Sequence, residues 1–380
     1  MRAGTDTPRT RSPLDRYPVL GICGYSGVGK TTLIEALIPR LRSVGLQVAV
    51  VKDGAHNIQL DASGKDSDRF FSAGADVALF GEQHFIRHHQ QGDLTSFLVT
   101  LCASYDIVLV EGHASTAIPK IWLTGRGERG TEPPPENRGS IIETLSREQA
   151  TVERVFICLQ SMLAKKWHLT PIWGCILIGG KSKRMGRPKH LIQQDGKTWL
   201  EQAVETLSPK VDQVVLSGSG QIPDILSDLP HVPDAPGLAG PLAGVLSVMR
   251  WQHAVSWLVM ACDLPDVQPE SLQWLLERRK PGIRAILPDL LGDGHLEPLL
   301  AWYDFRCRPL LETIAASGFL RISRLADQPG VCRFHPPEHL RGSWRNVNTP
   351  AQVTGSSRVT GSSRVTGSSR KTGLNVEEPC

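Results

Sequence analysis

The sequence lacks the features that mark several specialised classes of protein. No two of its eight cysteines have CxxC spacing, so neither a zinc ribbon nor a disulfide framework is indicated and reduced thiols are expected. No apolar run approaches the roughly 18 residues that a transmembrane helix needs, and the polar N-terminal segment has no signal-peptide core. These absences predict a cytoplasmic protein that does not bind a membrane.

The sequence also lacks an excess of charge of one sign. It has 42 basic and 38 acidic residues, a formal net charge of +4, which argues against nucleic-acid binding but is compatible with anionic small substrates. The 380 residues are 40% hydrophobic and 21% charged, as in ordinary globular proteins. At roughly 100–200 residues per domain, this length predicts two domains.

The first half of the chain predicts an α/β domain. The apolar run Val19–Cys23 is typical of a buried parallel strand, and Thr31–Arg42 has apolar residues at helical spacing. A second strand, Val48–Val51, completes a βαβ unit, and Asp106–Val110 predicts a further buried strand. The apolar run Val155–Leu159 is interpreted as a strand that closes the domain.

The second half repeats this layout. Trp173–Ile178 and Val211–Ser217 predict strands on either side of a helix over Trp199–Leu207. A further strand is predicted over Trp257–Met260. Two successive α/β layouts indicate a fusion of two enzymes, or of an enzyme and its helper.

These patterns set the predicted domain boundaries. Residues 1–17 are expected to form a flexible leader, residues 18–165 the first domain, and residues 172–352 the second. The tail, residues 353–380, contains three tandem copies of VTGSSR. Such a polar repeat cannot bury a core, so the tail is expected to be disordered.

A phosphate-binding loop follows the first predicted strand and matches the pattern GxxxxGK[ST]. In such a loop the glycine backbone surrounds phosphate oxygens, the lysine reaches the β- and γ-phosphates, and the last hydroxyl binds Mg²⁺. The expected ligands are Gly24, Gly27, Gly29, Lys30 and Thr31, with Mg²⁺ on Thr31. Asp53, Asp61, Asp66 and Glu111 could contact the same ion or could be ordinary solvated carboxylates.

Further residues give this half a family resemblance. They are Gly24–Thr32, His56, Asp61, Gly64–Arg69, Gly74–Ala75 and Val110–Gly112. With them, residues 18–165 resemble the adapter protein of molybdopterin-guanine dinucleotide synthesis. The resemblance implies a P-loop NTPase-like domain that binds GTP, with Thr32 among the contacts, hydrolyses it feebly, forms a homodimer and assists a guanylyltransferase.

A second glycine-containing loop, Leu177–Lys189, opens the second half. Gly179 and Gly180 together with five basic residues make a loop that can wrap a triphosphate. Arg184 offers a planar fork for the β- and γ-phosphates. Lys189 offers a point charge at the α-phosphate, where charge builds up during nucleotidyl transfer.

Carboxylates for the same site are predicted near strand ends. Asp263 directly follows the strand Trp257–Ala261, where the carboxyl ends of parallel strands line the active crevice. Because Mg²⁺ prefers oxygen ligands, Asp263 is the predicted metal residue. Asp234 lies shortly before Gly240–Gly244, a turn into a helix that could bring backbone N–H groups near a base or a phosphate.

Six segments carry a second resemblance. They are Leu177–Lys189, Asp234, Gly240–Gly244, Cys262–Pro265, Glu297–Leu299 and Asn346–Pro350. With them, residues 173–352 resemble the molybdenum cofactor guanylyltransferases. The resemblance implies a Rossmann-like nucleotidyltransferase domain of α/β/α layers with Mg²⁺ on Asp263. The implied GTP contacts are Leu177, Ile178, Gly179, Gly180, Lys189, Asp234 and Asp263.

Together these features predict that the second half transfers GMP from GTP to the terminal phosphate of molybdenum-molybdopterin and releases pyrophosphate. Lys189, Arg184 and Asp263 are the predicted catalytic residues, because an anionic nucleophile needs alignment and charge neutralisation rather than a strong base. The other expected partners are molybdoenzymes or their chaperones. Two alternatives stay open: a cytidylyltransferase for a molybdenum pterin, and a non-catalytic GTP-dependent adapter that carries the cofactor.

Overall fold

The structure is a computed structural model that describes residues 14, 17–52, 69–70, 72–73, 77–80, 84–87, 93–125, 139–179, 186–349 and 352. The chain divides into two compact units, Met1–Lys166 and Trp167–Cys380. The predicted tail and most of the predicted leader lie outside the described residues. Within the leader, Leu14 is described and is buried in the core of the first unit.

The first unit is built on a parallel sheet. Its strands are β1 (Val19–Gly24), β2 (Val48–Lys52), β3 (Val77–Phe80), β4 (His84–Arg87), β5 (Ile107–Glu111), β6 (Lys120–Thr124) and β7 (Ile141–Ser146). Five of them form a sheet in the order β2-β5-β1-β6-β7, with every pairing parallel, while β3 and β4 form a separate antiparallel pair.

Helices cover both faces of this sheet. They are α1 (Lys30–Arg42), α2 (Leu94–Cys102) and α3 (Val152–Leu169). Leu37 of α1 and Phe156 of α3 pack in one buried cluster, and Leu98 of α2 packs in another. Consecutive residues of β5 alternate between the two clusters, as side chains of a strand buried on both faces must.

One predicted element is wrong. The run Val155–Leu159, interpreted as a strand, lies inside helix α3. The physical reason is the spacing of the apolar residues along a longer segment, which the short run conceals. The buried residues of the helix are Val155, Phe156, Leu159, Met162, Leu163 and Lys166, which recur every three or four positions as one helix face requires.

The second unit contains a larger, mixed sheet. Its strands are β8 (Ile172–Ile178), β9 (Gln193–Gln194), β10 (Lys197–Thr198), β11 (Gln213–Gly218), β12 (His231–Val232), β13 (Ser256–Ala261), β14 (Ala285–Pro288), β15 (Leu300–Tyr303) and β16 (Val331–Phe334). Seven strands follow the order β12-β11-β8-β13-β15-β14-β16, and β9 pairs with β10 separately. Only β15 runs antiparallel to its neighbours among these seven described strands.

Helices flank this sheet as well. They are α4 (Trp199–Leu207), α5 (Pro241–Trp251), α6 (Pro269–Glu277) and α7 (Cys307–Ala316). Leu200 of α4 and Leu272 of α6 pack in one buried cluster, whereas Val245 of α5 and Leu311 of α7 pack in the other. Two α/β units in this order confirm the predicted fold class.

The cysteines follow the sequence expectation with one exception. Cys23, Cys102, Cys158, Cys175, Cys262 and Cys307 are free thiols, and all but Cys158 are buried. Cys332 is disulfide-bonded, so the expectation of reduced thiols fails at that position. In the part of the chain that the structure describes, no helix has both the length and the hydropathy needed to cross a bilayer.

Candidate active site

The main candidate site lies where parallel strands of the second unit end. Strands β11 and β13 both pair in parallel with β8, so their carboxyl ends meet at one edge of the sheet, the usual ligand edge of such folds. The backbone N–H of Cys262 donates to the carbonyl oxygen of Leu177 at 3.1 Å. This bond ties the start of the glycine-containing loop to the strand end that carries Asp263.

Lys189 and Asp263 form an ion pair at this edge. The Nζ atom of Lys189 lies 2.7 Å from Oδ2 of Asp263, and it also donates to Oδ1 of Asn348 at 2.7 Å. The lysine and aspartate side chains are 15% and 21% exposed, so their attraction is stronger than it would be in bulk water. An ammonium has three N–H donors. The third has no acceptor among the described residues and can serve a phosphate oxygen.

Asn348, near the C-terminal end of the second unit's described sequence, contacts the Lys189–Asp263 ion pair. The backbone N–H of Val347 donates to the carbonyl oxygen of Asp263 at 3.1 Å, and the Val347 side chain is fully buried. The backbone N–H of Asn348 donates to Oε1 of Gln352 at 2.7 Å. Two residues separated by 159 positions in sequence, Lys189 and Asn348, are thereby held in contact.

Glycines allow the two loops beside the site to pack closely. Gly179 has a φ of +101°, and a Cβ there would lie 2.6 Å from the carbonyl oxygen of Ser219. Gly218 has a φ of +117°, and a Cβ there would lie 2.0 Å from the carbonyl oxygen of Ile178. A side chain at either position would be strained by its backbone conformation and would also clash with backbone atoms.

Asp234 stands near the start of α5. A Cβ on Gly244 would lie 2.7 Å from Cδ2 of Leu177 and 3.6 Å from Oδ1 of Asp234, so these side chains share one small region. The Ser217 hydroxyl donates to the carbonyl oxygen of Gly244 at 3.0 Å and fixes the helix there. Partial desolvation raises the pKa of Asp234 above its ordinary value.

Glu297 adds a second carboxylate on the other side of Asp263. It is half-buried and lies just before β15, the strand next to β13. Desolvation raises the pKa of Glu297, with the nearby charge of Asp263 acting in the same direction and His295 opposing it. Glu297 is therefore close enough to Asp263 for the two charges to interact.

The first unit has a separate nucleotide-type loop between β1 and α1. The Nζ atom of Lys30 donates to the carbonyl oxygens of Gly24 and Tyr25, both at 2.9 Å, so the lysine folds back over the loop. Gly27 and Gly29 have φ angles of +80° and +95°, which a loop of inward-pointing N–H groups requires.

Thr31, the residue predicted to bind Mg²⁺ in this loop, contacts a carboxylate. The Thr31 hydroxyl donates to Oε1 of Glu111 at 2.7 Å. Glu111 ends β5, so its carboxylate is at the carboxyl edge of the parallel sheet. A hydroxyl and a carboxylate side by side are hard oxygen donors of the kind that Mg²⁺ prefers.

Comparisons with known proteins match the two halves separately. Residues 174–329 match the family model described as the MobA-like NTP transferase domain, and residues 19–146 match the model of molybdopterin guanine dinucleotide synthesis protein B. A probable molybdenum cofactor guanylyltransferase of Bacillus cereus strain AH187 is 31% identical over 193 residues, which are 49% of this chain and 95% of the relative.

The first half has its own relatives. The molybdopterin-guanine dinucleotide biosynthesis adapter protein of Haemophilus influenzae is 34% identical over 148 residues, 38% of this chain and 82% of the relative. The first half of the chain belongs to the adapter family and the second half to the guanylyltransferase family. A molybdenum cofactor biosynthesis bifunctional protein of Synechocystis is 28% identical over 186 residues, covering 48% of this chain and 52% of the relative's length.

Membership of the guanylyltransferase family makes the second half a nucleotidyltransferase. At its candidate site the structure brings together five predicted residues: Leu177, Ile178, Gly179, Lys189 and Asp263. Asp234 lies beside them across Gly244. Gly180 and Arg184 lie outside the described residues, so their placement stays a prediction, as do the chemical roles of all these residues.

In the adapter-family half, the predicted ligands form one continuous loop and helix start. They are Gly24, Gly27, Gly29, Lys30, Thr31 and Thr32, and their roles also stay predictions. Of the carboxylates considered beside them, Glu111 reaches Thr31. Asp53, Asp61 and Asp66 lie outside the described residues.

No role was predicted for Asn348 or Glu297, although both lie in segments that carry the family resemblance. Asn348 occurs in the run Asn346–Pro350, one of the segments that carry the resemblance to the guanylyltransferases. That run was a usable signal. Nothing in the local sequence predicts that Asn348 contacts Lys189, because the contact depends on the whole fold of the unit.

Proposed function

We propose that the second half transfers GMP from GTP to the terminal phosphate of molybdenum-molybdopterin and releases pyrophosphate, while the first half binds GTP and assists. The observation that supports this most strongly is the Lys189–Asp263 pair at the carboxyl edge of the sheet, where one ammonium N–H has no acceptor among the described residues. The names of the relatives favour guanylyl transfer over the cytidylyl alternative.

The reaction needs one phosphoryl substitution. A terminal phosphate oxygen of the pterin forms a bond to the α-phosphorus of GTP, and the bond from that phosphorus to the pyrophosphate oxygen breaks. Negative charge then grows on the α-phosphate oxygens and on the leaving group. Lys189 is positioned to stabilise the α-phosphate, and Arg184 is assigned to the departing pyrophosphate.

The residues of the site fit a magnesium ion. Oδ2 of Asp263 accepts from Lys189, whereas Oδ1 accepts no hydrogen bond from any described residue. Mg²⁺ commonly binds one or two carboxylates together with substrate phosphates, so the second oxygen of Asp263 is suited to hold it. When bound, the ion supplies Lewis-acid stabilisation of the phosphate charge.

The adapter-family half is assigned a separate GTP molecule. Its loop presents Lys30 and Thr31, with Glu111 beside the hydroxyl as a second oxygen donor for Mg²⁺. The proposed partners of the whole chain are the molybdenum pterin and the molybdoenzymes or chaperones that receive the product. Homodimer formation through the first half and a cytoplasmic location are proposed on the sequence alone.

Replacement of the lysine tests the proposal. Lys189→Ala should lower the turnover number by about 100-fold or more, the usual effect of removing one preorganised transition-state charge. The affinity for the pterin should change less. Lys197→Ala removes an exposed lysine that pairs with Glu205, and it should leave guanylyl transfer near normal. Near-normal transfer by Lys189→Ala would refute the assigned role.

A further inference from the structure

The order of strands separates two sides of the candidate site. Among the residues predicted to contact the nucleotide, Leu177 and Ile178 lie on β8 and Asp234 precedes α5, all on one side of β13. Lys189 contacts Asp263 just past the end of β13. Strand β15 pairs with the opposite side of β13. Asp263 follows β13, so it stands between the nucleotide side and the side that carries Glu297.

The register of these strands brings the two carboxylates close. Trp257 pairs with Tyr303 and Met260 with Leu300, and the N–H of Ala261 donates to the carbonyl oxygen of Leu299 at 2.8 Å. Beyond this bond β13 has ended and β15 has not yet begun, and Asp263 and Glu297 each lie two residues past it. Both residues therefore lie at the same end of the β13–β15 pair, where the charge of Asp263 disfavours ionisation of Glu297, so packing alone gives no reason for an acid at position 297.

The Glu297 carboxylate has no hydrogen-bond donor in the part of the chain that the structure describes. It is half-buried, yet no described N–H or O–H donates to its oxygens. Partly desolvated polar groups are usually paired, so an unpaired carboxylate at a substrate crevice is suited to accept hydrogen bonds from a ligand.

The loop that carries Glu297 is held firmly. The buried carboxylate of Asp289 accepts from the backbone N–H groups of Gly292 at 2.8 Å and Gly294 at 3.1 Å. The N–H of Glu297 itself donates to the carbonyl oxygen of Pro288 at 2.9 Å. Because these bonds hold the backbone that carries Glu297, ordering of this loop adds little to the entropic cost of binding.

The ligand that fits is a ring edge with two adjacent N–H donors. A pterin has such an edge on its 2-amino-4-oxopyrimidine ring, and a carboxylate can accept both bonds in parallel. Guanine has the same edge, but the predicted nucleotide contacts lie on the other side of Asp263. We propose that Glu297 binds this edge of the pterin acceptor and thereby selects it. The inference rests on the proposed guanylyl transfer.

Steady-state kinetics of Glu297→Gln test this assignment in the full-length protein. An amide can replace only one of the two acceptor oxygens, so the KM for the molybdenum pterin should rise about tenfold or more. The KM for GTP and the half-saturating Mg²⁺ concentration should stay within about twofold. Glu297→Asp, which keeps the charge at a shorter reach, should have an intermediate KM for the pterin.

The matched control is Glu277→Gln. Glu277 is an exposed glutamate at the end of α6 that contacts Gln273. Its replacement should leave the KM for the pterin, the KM for GTP and the half-saturating Mg²⁺ concentration unchanged. Melting temperatures of the variants establish that each is folded. An unchanged KM for the pterin in a folded Glu297→Gln protein would overturn the proposal.

Inhibition by simple rings identifies the chemistry. Pterin should inhibit the wild-type protein more strongly than lumazine, which has an oxo group in place of the 2-amino group, and Glu297→Gln should lose that preference. If the variant instead loses the preference for GTP over ITP, the carboxylate binds guanine. If it raises only the Mg²⁺ requirement, the carboxylate binds metal. Either result overturns the proposal, whereas absence of transfer by the wild-type protein refutes the proposed function itself.

Discussion

The charge on Asp263 has two partners in this account, the Lys189 ammonium and a magnesium ion. Its first oxygen is held by the lysine at 2.7 Å, and its second is free of hydrogen bonds from the described residues. A substitution that removes the charge of Asp263 but keeps its shape therefore affects both the contact with Lys189 and the proposed binding of Mg²⁺. It also leaves Lys189 without its counter-charge in a partly buried position, which is costly.

Asp263→Asn should raise the half-saturating Mg²⁺ concentration and lower the turnover number by about 100-fold or more. Initial rates of pyrophosphate release over a range of Mg²⁺ concentrations measure both quantities. Asp266→Asn is the control, because Asp266 lies three positions away and pairs with Arg345 near the surface. An Asp263→Asn protein with unchanged Mg²⁺ dependence would remove this residue from the metal site.

Gly179 is a second residue whose replacement has a definite expected effect. Gly179→Ala puts a side chain at a φ of +101° and against the carbonyl oxygen of Ser219, so it should cost about 1–3 kcal/mol of stability or displace the loop. Denaturant unfolding measures the cost. Gly342→Ala, where a Cβ would meet no atom within 4 Å, should be nearly neutral. Equal stability of the two variants would contradict the proposed close approach.

Single residues were predictable where a motif has fixed spacing. The glycines, Lys30, Thr31 and Lys189 all follow from loop patterns, and Asp263 follows from its place after a strand. Asn348 and Glu297 lie in segments that carry the family resemblance, but no role at the site was predicted for either. Their contacts depend on a strand register and on a backbone bond to a distant segment, neither of which leaves a local pattern.

Among the elements, α4 has the most complete local signal. The Thr198 hydroxyl accepts from the backbone N–H of Glu201, and the Glu201 carboxylate accepts from the backbone N–H of Thr198, which is a capping box. The sequence predicted this helix with the bounds that the structure shows, because its apolar spacing and its cap agree. Thr198→Ala should cost about 1 kcal/mol, measured by denaturant unfolding.

Glu201 gives this cap a pH dependence. Hydrogen bonds from Thr198 lower the pKa of Glu201, so the folded state favours the ionised carboxylate. Its stabilising contribution is present above the ordinary glutamate pKa of about 4.3 and is lost as the pH falls through the lower, folded-state pKa. The melting-temperature difference between wild type and Glu201→Gln should therefore shrink in acid. A difference that grows on acidification would contradict the assignment.

Other elements show where local patterns fail. Strands β1, β5, β8, β11 and β13 were predicted as apolar runs because they lie inside a sheet and are largely buried, and the edge strand β2 was predicted from its valines although it is partly exposed. Helix α3 was mistaken for a strand in part, because five consecutive residues do not distinguish the two periods. The antiparallel β15 was not predicted, since the direction of a strand depends on its partners rather than on its own residues.

The whole chain is expected to hold two GTP molecules at independent sites, one in each unit. Lys30 belongs to the first unit and Lys189 to the second, and each unit has its own core. Removing one lysine should therefore affect one site only. Single lysine substitutions therefore test whether the two GTP sites are independent.

Equilibrium binding of GTP to the intact chain should show two sites for the wild type. Lys30→Ala should remove the P-loop site and leave guanylyl transfer in place, because the transferase residues are untouched. Lys189→Ala should do the reverse, retaining P-loop binding while transfer falls. If Lys30→Ala abolished transfer, the first half would be part of the catalytic machinery rather than an assisting domain.

The most direct measurement is mass analysis of the product that the purified chain forms from Mg²⁺ and molybdenum-molybdopterin with GTP or CTP. Guanylyl transfer predicts a pterin heavier by one GMP unit, formed with GTP and accompanied by one pyrophosphate per product. A cytidylylated pterin formed in preference, or release of pyrophosphate from neither nucleotide, would contradict the account.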